Sequence, residues 1–277
     1  MMNLQECFHR LVEAGDSANV AEIREQCELI LRSTRLVAFG SKCLLREIEF
    51  YHHSPGHPDP FTHCHDIQSL FGRWYAHRVG KGYKGGSFKG IDFTFGRDGS
   101  FGGMLIRSIE TPEGDVICGP SLCVDRLIQL GRFENVASLD GAIADRPLWD
   151  ANNPMQLVAA VPSEDHVYAS ARVGLNGFTV SPDRRPWKYL LRRYRFVTRP
   201  DSIKKGRVHL ILAMARNGHS VEEIRGTTGS TNSAIQRHIQ TFEQSGELSL
   251  SEIANLPAAK QMCALEKLDA IQRSEFH

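Results

Sequence analysis

The stretch LLREIEFYHHSPGHPDPFTHCH, residues 44–65, decides how the chain is read. Ile48 and Phe50 alternate with Glu47 and Glu49, so an extended strand puts both carboxylates on one face. A carboxylate in that position is a candidate base, although an edge strand with two solvated glutamates has the same pattern. The loop that follows is dense in histidine: His52, His53, His57, His63 and His65 lie close to Cys64. Imidazole and thiolate are ordinary zinc ligands, but three prolines (Pro55, Pro58 and Pro60) and a glycine break the run and no recognised ligand spacing results.

Working outward, the runs LVAFG (36–40), GIDFTFG (90–96) and GGMLIRSIE (102–110) are strand-like and punctuated by Gly, Pro and Asp. Before them, Leu4, Phe8, Leu11 and Val12 share one helical face, and Ile23, Cys27, Ile30 and Leu31 another. Residues 120–130 form a further helix and 148–161 a polar link. The runs VYASARVGL (167–175) and LLRRYRFVT (190–198) complete the sheet. Helices and strands without βαβ alternation predict an α+β domain with a curved, largely antiparallel sheet. After Pro200 the pattern turns helical over 208–218, 220–229 and 231–246, with Ser220 and Thr231 or Asn232 as N-caps and Gly218 and Gly246 as stops. The predicted organisation is N-terminal helices over 1–34, a domain over 35–200 and a helical module over 201–277.

The chain has 277 residues, of which 41% are hydrophobic, enough for a core of domain size. Its 33 Lys and Arg against 32 Asp and Glu give a net charge of +1, so only local charge can point to a polyanion. No run of about 18 apolar residues spans a membrane, and the first residues carry no apolar signal core. Seven cysteines without a C-x-x-C pair fit reduced thiols. A cytoplasmic location with no membrane partner is the expectation.

Five blocks, in order, resemble the alkyladenine DNA glycosylase family. They are Glu49-Phe50-Tyr51 with Asp59-Pro60-Phe61-Thr62-His63; Gly90-Ile91-Asp92-Phe93-Thr94; Met104 to Glu110; Cys118-Gly119-Pro120-Ser121-Leu122-Cys123; and Ala171-Arg172-Val173-Gly174. The resemblance covers about residues 35–200. It implies that Glu49 is the general base for an attacking water and that Arg107 holds that water and carboxylate in place. It implies further that Tyr51 and His63 contact a flipped base, with His77 and Asp92 standing where the family has a tyrosine and an asparagine. Read from the residues alone, Arg107 also suits a salt bridge to Glu110 or Asp92, and Tyr51 a packed core. Between them, RVGKGYKGGSFKG offers Tyr83 as a wedge into the DNA gap and Lys84 as a phosphate contact.

Ten basic residues, Arg184, Arg185, Lys188, Arg192, Arg193, Arg195, Arg199, Lys204, Lys205 and Arg207, crowd one window beside Trp187, Tyr189 and Tyr194, as in a phosphate-binding strip. The tail resembles a helix-turn-helix that would present Gln236 and Arg237 to a groove. The expected activity is hydrolysis of the N-glycosidic bond of a modified nucleotide in double-stranded DNA, without metal, organic cofactor or obligatory protein partner. No lysine beside Glu49 serves as a Schiff-base nucleophile, so the strand stays intact. The changed pocket residues lean the substrate toward a hypermodified, glucosylated hydroxymethylcytosine-type phage base, with repair of alkylated or deaminated purines as the alternative. A catalytically inert DNA-binding sensor is the competing class.

Overall fold

The computed structural model describes residues 3–175, 187–245, 252–253 and 255–274. They form two compact units: Val167 closes the first apart from Phe196–Thr198, and the second takes 168–195 and the chain from Arg199 on. The predicted boundaries move accordingly. The N-terminal helices belong with the sheet, because α1 (Leu4–Asp16) and α2 (Val20–Ser33) pack on each other and on its longest strand.

Within the first unit come β1 (Thr34–Ala38), β2 (Ser41–Ser54), β3 (His57–Pro58), β4 (Trp74–Ala76), β5 (Arg78–Val79), β6 (Gly82–Tyr83), β7 (Ile91–Thr94), β8 (Phe101–Glu110) and β9 (Val116–Cys118). Helices α3 (Pro120–Gly131) and α4 (Val136–Ile143) and strand β10 (Met155–Ala159) follow. The main path of the sheet runs β10-β1-β2-β8-β7-β4, with antiparallel neighbours throughout. The mixed architecture and antiparallel sheet agree with the predicted α+β class.

The side chain of Asn3 caps α1, and α1 lays Phe8 on Phe93 with ring centroids 5.5 Å apart. Phe50 stacks on Phe95 at 5.3 Å. Each such side chain, fully buried, contributes roughly 1.5–3 kcal/mol. Phe50 is a helix-side residue of β2, which leaves its neighbours Glu49 and Tyr51 on the opposite face.

Two elements depart from expectation. The polar link over 148–161 contains β10, which pairs Leu157 with Leu36 of β1; the flanking Asn153 and Pro154 hide the alternation of Met155 and Leu157. Helix α4 was not foreseen, although Val136, Leu139 and Ile143 repeat at helical spacing behind an Asn135 cap. Helix α3 begins as its residues dictate: Gly119 takes φ 119°, open to glycine but not to side chains, and Pro120 fills the first turn.

In the second unit the expected strands shrink. VYASARVGL keeps β11 (Tyr168–Ser170), while Leu190 ends the short helix α5 (Trp187–Leu190) and only β12 (Arg195–Val197) remains extended in its run, straddling the division. Helices α6 (Arg207–Arg216), α7 (Val221–Thr228), α8 (Asn232–Gln244) and α9 (Ala258–Ser274) follow. Ile211, Met214, Ile224 and Ile235 make a small core. Ser220 and Thr231 cap α7 and α8, and Gly229 at φ 65° turns the chain between them. The foreseen stop at Gly246 lies outside the described residues. Among the described residues no helix is long and apolar enough to cross a membrane.

Candidate active site

The register of β2 on β8 shifts twice within three residues. Leu45 faces Ile109, Glu47 faces Ser108, and Ile48 faces Ile106. Arg46 is therefore the extra residue of a bulge on β2 and Arg107 that of a bulge on β8, and the second shift restores the register that the first displaced. The shift sets Ser108 opposite Glu47, and the arginine at each bulge meets an acidic pair. Arg46 reaches Glu110 at 2.9 Å and Asp165 at 2.7 Å.

Arg107 donates from Nε to Glu47 Oε1 at 3.0 Å and from Nη1 to Glu49 Oε2 at 3.2 Å. Beside it, Ser108 Oγ donates to Glu47 Oε2 at 2.6 Å, and the Tyr51 hydroxyl donates to Glu49 Oε2 at 2.9 Å. Glu49 is 0% exposed, Glu47 2% and Arg107 5%. Burial by itself lowers the pKa of Arg107, but Glu49 and then Glu47 outweigh it and carry the guanidinium above its ordinary value. The cluster holds a buried carboxylate beside a permanent cation. The alternative of two solvated glutamates fails, because both are buried; Arg107 meets Glu47 and Glu49, while Glu110 is held by Arg46 and Asp92 by His77 and Gln68.

The same register carries the site across the sheet. Glu49 faces Leu105, Leu105 faces Asp92, and Asp92 faces Tyr75, so four side chains stand in one transverse row on one face. Three strand spacings separate its ends, about 14 Å. Gly103, opposite Tyr51, has no side chain for a reason: a Cβ there would lie 2.6 Å from Asp92 Oδ2 and 2.7 Å from Gln68 Nε2.

At the far end of the row, Asp92 bonds His77 Nε2 at 2.7 Å and accepts from Gln68 Nε2 at 3.1 Å. The ring of His63 meets His77 at 4.4 Å between centroids, edge to face. His63 Nδ1 lies 3.2 Å from the Tyr75 hydroxyl, and its Nε2 2.9 Å from Lys84 Nζ. Although an edge of His63 is exposed, desolvation on its packed side and then His77 push its pKa down to about 4. It is therefore a neutral imidazole near pH 7. Burial and then Asp92 push Tyr75 up to about 12, keeping its hydroxyl a donor, and desolvation lowers the pKa of Lys84.

The structure thus brings Glu49, Arg107 and Tyr51 into one cluster and His63, His77, Asp92 and Lys84 into another on the same sheet. Tyr51 reaches the carboxylate rather than standing apart as a stacking ring. Asp92 is engaged by His77 and Gln68, where an acceptor facing a ligand had been expected. Tyr83 is turned back, its hydroxyl on Asp140 at 2.8 Å and Arg78 4.6 Å above its ring, a pinned position unlike that of a projecting wedge. Sequence reading assigned no role to Ser108, Gln68 or Tyr75. Ser108 was the most accessible of these, since a bulge at Arg107 turns two successive residues toward Glu47.

The basic strip disperses. Arg184 and Arg185 lie outside the described residues, as does the side chain of Lys188. Arg195 corrects the expectation of a phosphate contact: it is 0% exposed and clamps the carbonyls of Gly206 at 2.9 Å and Lys205 at 3.2 Å. Arg192 stacks over Tyr189 and Tyr194, and Arg193 bonds Asn217 at 2.8 Å. Lys204 and Lys205 are exposed, as are Gln236 and Arg237 on α8. Among the described residues no group of three or more His, Cys, Asp or Glu could hold a metal ion.

The chain is similar to the uncharacterized protein L759 of Acanthamoeba polyphaga mimivirus, 35% identical over 191 residues, which span 63% of this chain and 85% of the viral protein. No protein-family model matches the chain.

Proposed function

The chain belongs to the family of the mimivirus protein L759, and we propose that it is a DNA glycosylase. It hydrolyses the bond between base and sugar of a modified nucleotide turned out of the duplex, leaving an abasic site. One observation supports this above the rest: Glu49, fully buried, is held by the Arg107 guanidinium and the Tyr51 hydroxyl on a single oxygen.

Arg107 sets a fixed positive charge against the carboxylate and orients its plane, so that Glu49 can accept a proton from water as that water attacks C1′. Water reaches Glu49 when the Tyr51 hydroxyl gives way to the entering nucleotide. Base recognition falls to the row beyond it, where His77 and Asp92 form a hydrogen-bonded pair and His63 is neutral. A neutral imidazole, its nitrogens at Tyr75 and Lys84, adds no charge of its own to this row, which suits a polar, uncharged base. We therefore place a hypermodified base of the glucosylated hydroxymethylcytosine type ahead of an alkylated or deaminated purine. DNA is held in part by the C-terminal unit, read as a helix-turn-helix with Gln236 and Arg237 on its outer helix. The reaction runs in the cytoplasm and calls on no metal, organic cofactor or obligatory protein partner.

A second reading, an inert sensor of modified bases, draws support from the complete burial of Glu49. Changing Glu49 to Gln separates the two. The enzyme loses abasic-site formation and keeps binding, whereas a sensor keeps its DNA response.

A further inference from the structure

Lys84 differs from its neighbour Lys89 in what it touches. Lys89 pairs with the carboxylate of Asp125, as surface lysines commonly do. Lys84 lies instead against an imidazole, its Nζ 2.9 Å from His63 Nε2. Its backbone amide is fixed to the His77 carbonyl at 2.9 Å, and glycines 82, 85 and 86 leave approach from solvent unobstructed. Asp92, whose charge acts on Lys84, is engaged by His77 and Gln68. Desolvation lowers the pKa of Lys84, which favours the free amine that a nucleophile at this position requires.

We propose that Lys84 is an amine nucleophile that captures the aldehyde of an abasic site as a Schiff base, its ammonium proton passing to solvent. The inference rests on the glycosylase reading only for the origin of the abasic site. It adds a step that the sequence, which offered no lysine beside Glu49, did not suggest. Water and Glu49 still release the base; Lys84 acts on the product. In the ring-opened sugar the lysine lone pair attacks C1′, and the carbonyl pair moves to oxygen and takes a proton. Loss of water then leaves a protonated imine. Transfer of the C2′ proton, made acidic by the protonated imine, to water feeds the C–H pair toward the imine and expels the 3′ phosphate with the electrons of the C3′–O bond. Hydrolysis of the imine by water returns the amine.

The test uses the full chain and a duplex whose single abasic site is made beforehand by removing one uracil, so its outcome is independent of base release by this protein. Sodium cyanoborohydride reduces any imine to a stable secondary amine. The expected result is a covalent protein–DNA band with the adduct mapped to Lys84 by peptide mass spectrometry. Lys84→Arg and Lys84→Met are expected to weaken the band at least about 10-fold, while Lys42→Arg, on the exposed start of β2, leaves it unchanged. Folding of each variant is checked by its thermal melt. Absence of the band with folded wild-type protein overturns the proposal, as does equal trapping by a folded Lys84 variant. Base release from modified DNA, measured separately, reports on the glycosylase reading alone.

Discussion

Arg107 Nη1 stands 3.2 Å from Glu49 Oε2, a contact made across the β2–β8 pair beside the point where its register shifts. The guanidinium spans Glu47 and Glu49 together, so removing it leaves two buried acids facing each other.

Arg107→Met is therefore expected to destabilise the protein by about 3–5 kcal/mol, the usual result of breaking a buried ion pair from one side. Denaturant unfolding measures it. Adding Glu47→Gln to Arg107→Met should recover part of the loss; no recovery would mean that Glu47 is not strained by the missing cation.

His63 is expected to titrate near 4, against an ordinary 6.5. Its depressed pKa means that the folded state binds fewer protons than the unfolded, so this group's effect on stability falls as pH drops from about 6.5 toward 4. Two-dimensional NMR of the imidazole carbons reads the midpoint directly, and a value near 6.5 would contradict the packing of His77 and Lys84 around it.

Gly103→Ala drives a methyl into Asp92 and Gln68. The expected cost is about 1 kcal/mol for the lost Gln68–Asp92 hydrogen bond, read as a lower melting temperature, together with weaker base recognition as His77 loses its anchor. An unchanged melt would show that Gln68 swings aside freely.

Arg195→Ala is expected to destabilise the C-terminal unit and leave the salt dependence of duplex binding unaltered, since its guanidinium is consumed by backbone carbonyls. Arg237→Ala should do the reverse, lowering the slope of log K against log salt by about 0.9 for one lost phosphate contact. Fluorescence anisotropy across salt concentrations distinguishes them.

Much of the sheet was legible because residues 44–51 and 102–110 state their period openly, and the α+β class followed. The pairing of Glu49 with Arg107 was reached through motif resemblance; periodicity alone pointed Arg107 to Glu110 or Asp92. Composition does not choose among those partners, whereas the antiparallel register does, since it sets Arg107 on the face of β8 that meets Glu47 and Glu49. The basic window misled for a related reason. Sequence counts charges without showing which ones, like Arg195, turn inward to tie down backbone.

The central claim is that Glu49 activates water for base release, and one assay tests it most directly. Wild type and Glu49→Gln are incubated with alkylated, deaminated and glucosylated duplexes, and alkali-labile breaks and binding are measured side by side. The account expects cleavage of at least one duplex by wild type, a loss of about 10²–10⁴-fold in the variant, and little change in affinity. Equal base release by the variant, or no release by a wild-type protein that binds all three, would contradict it.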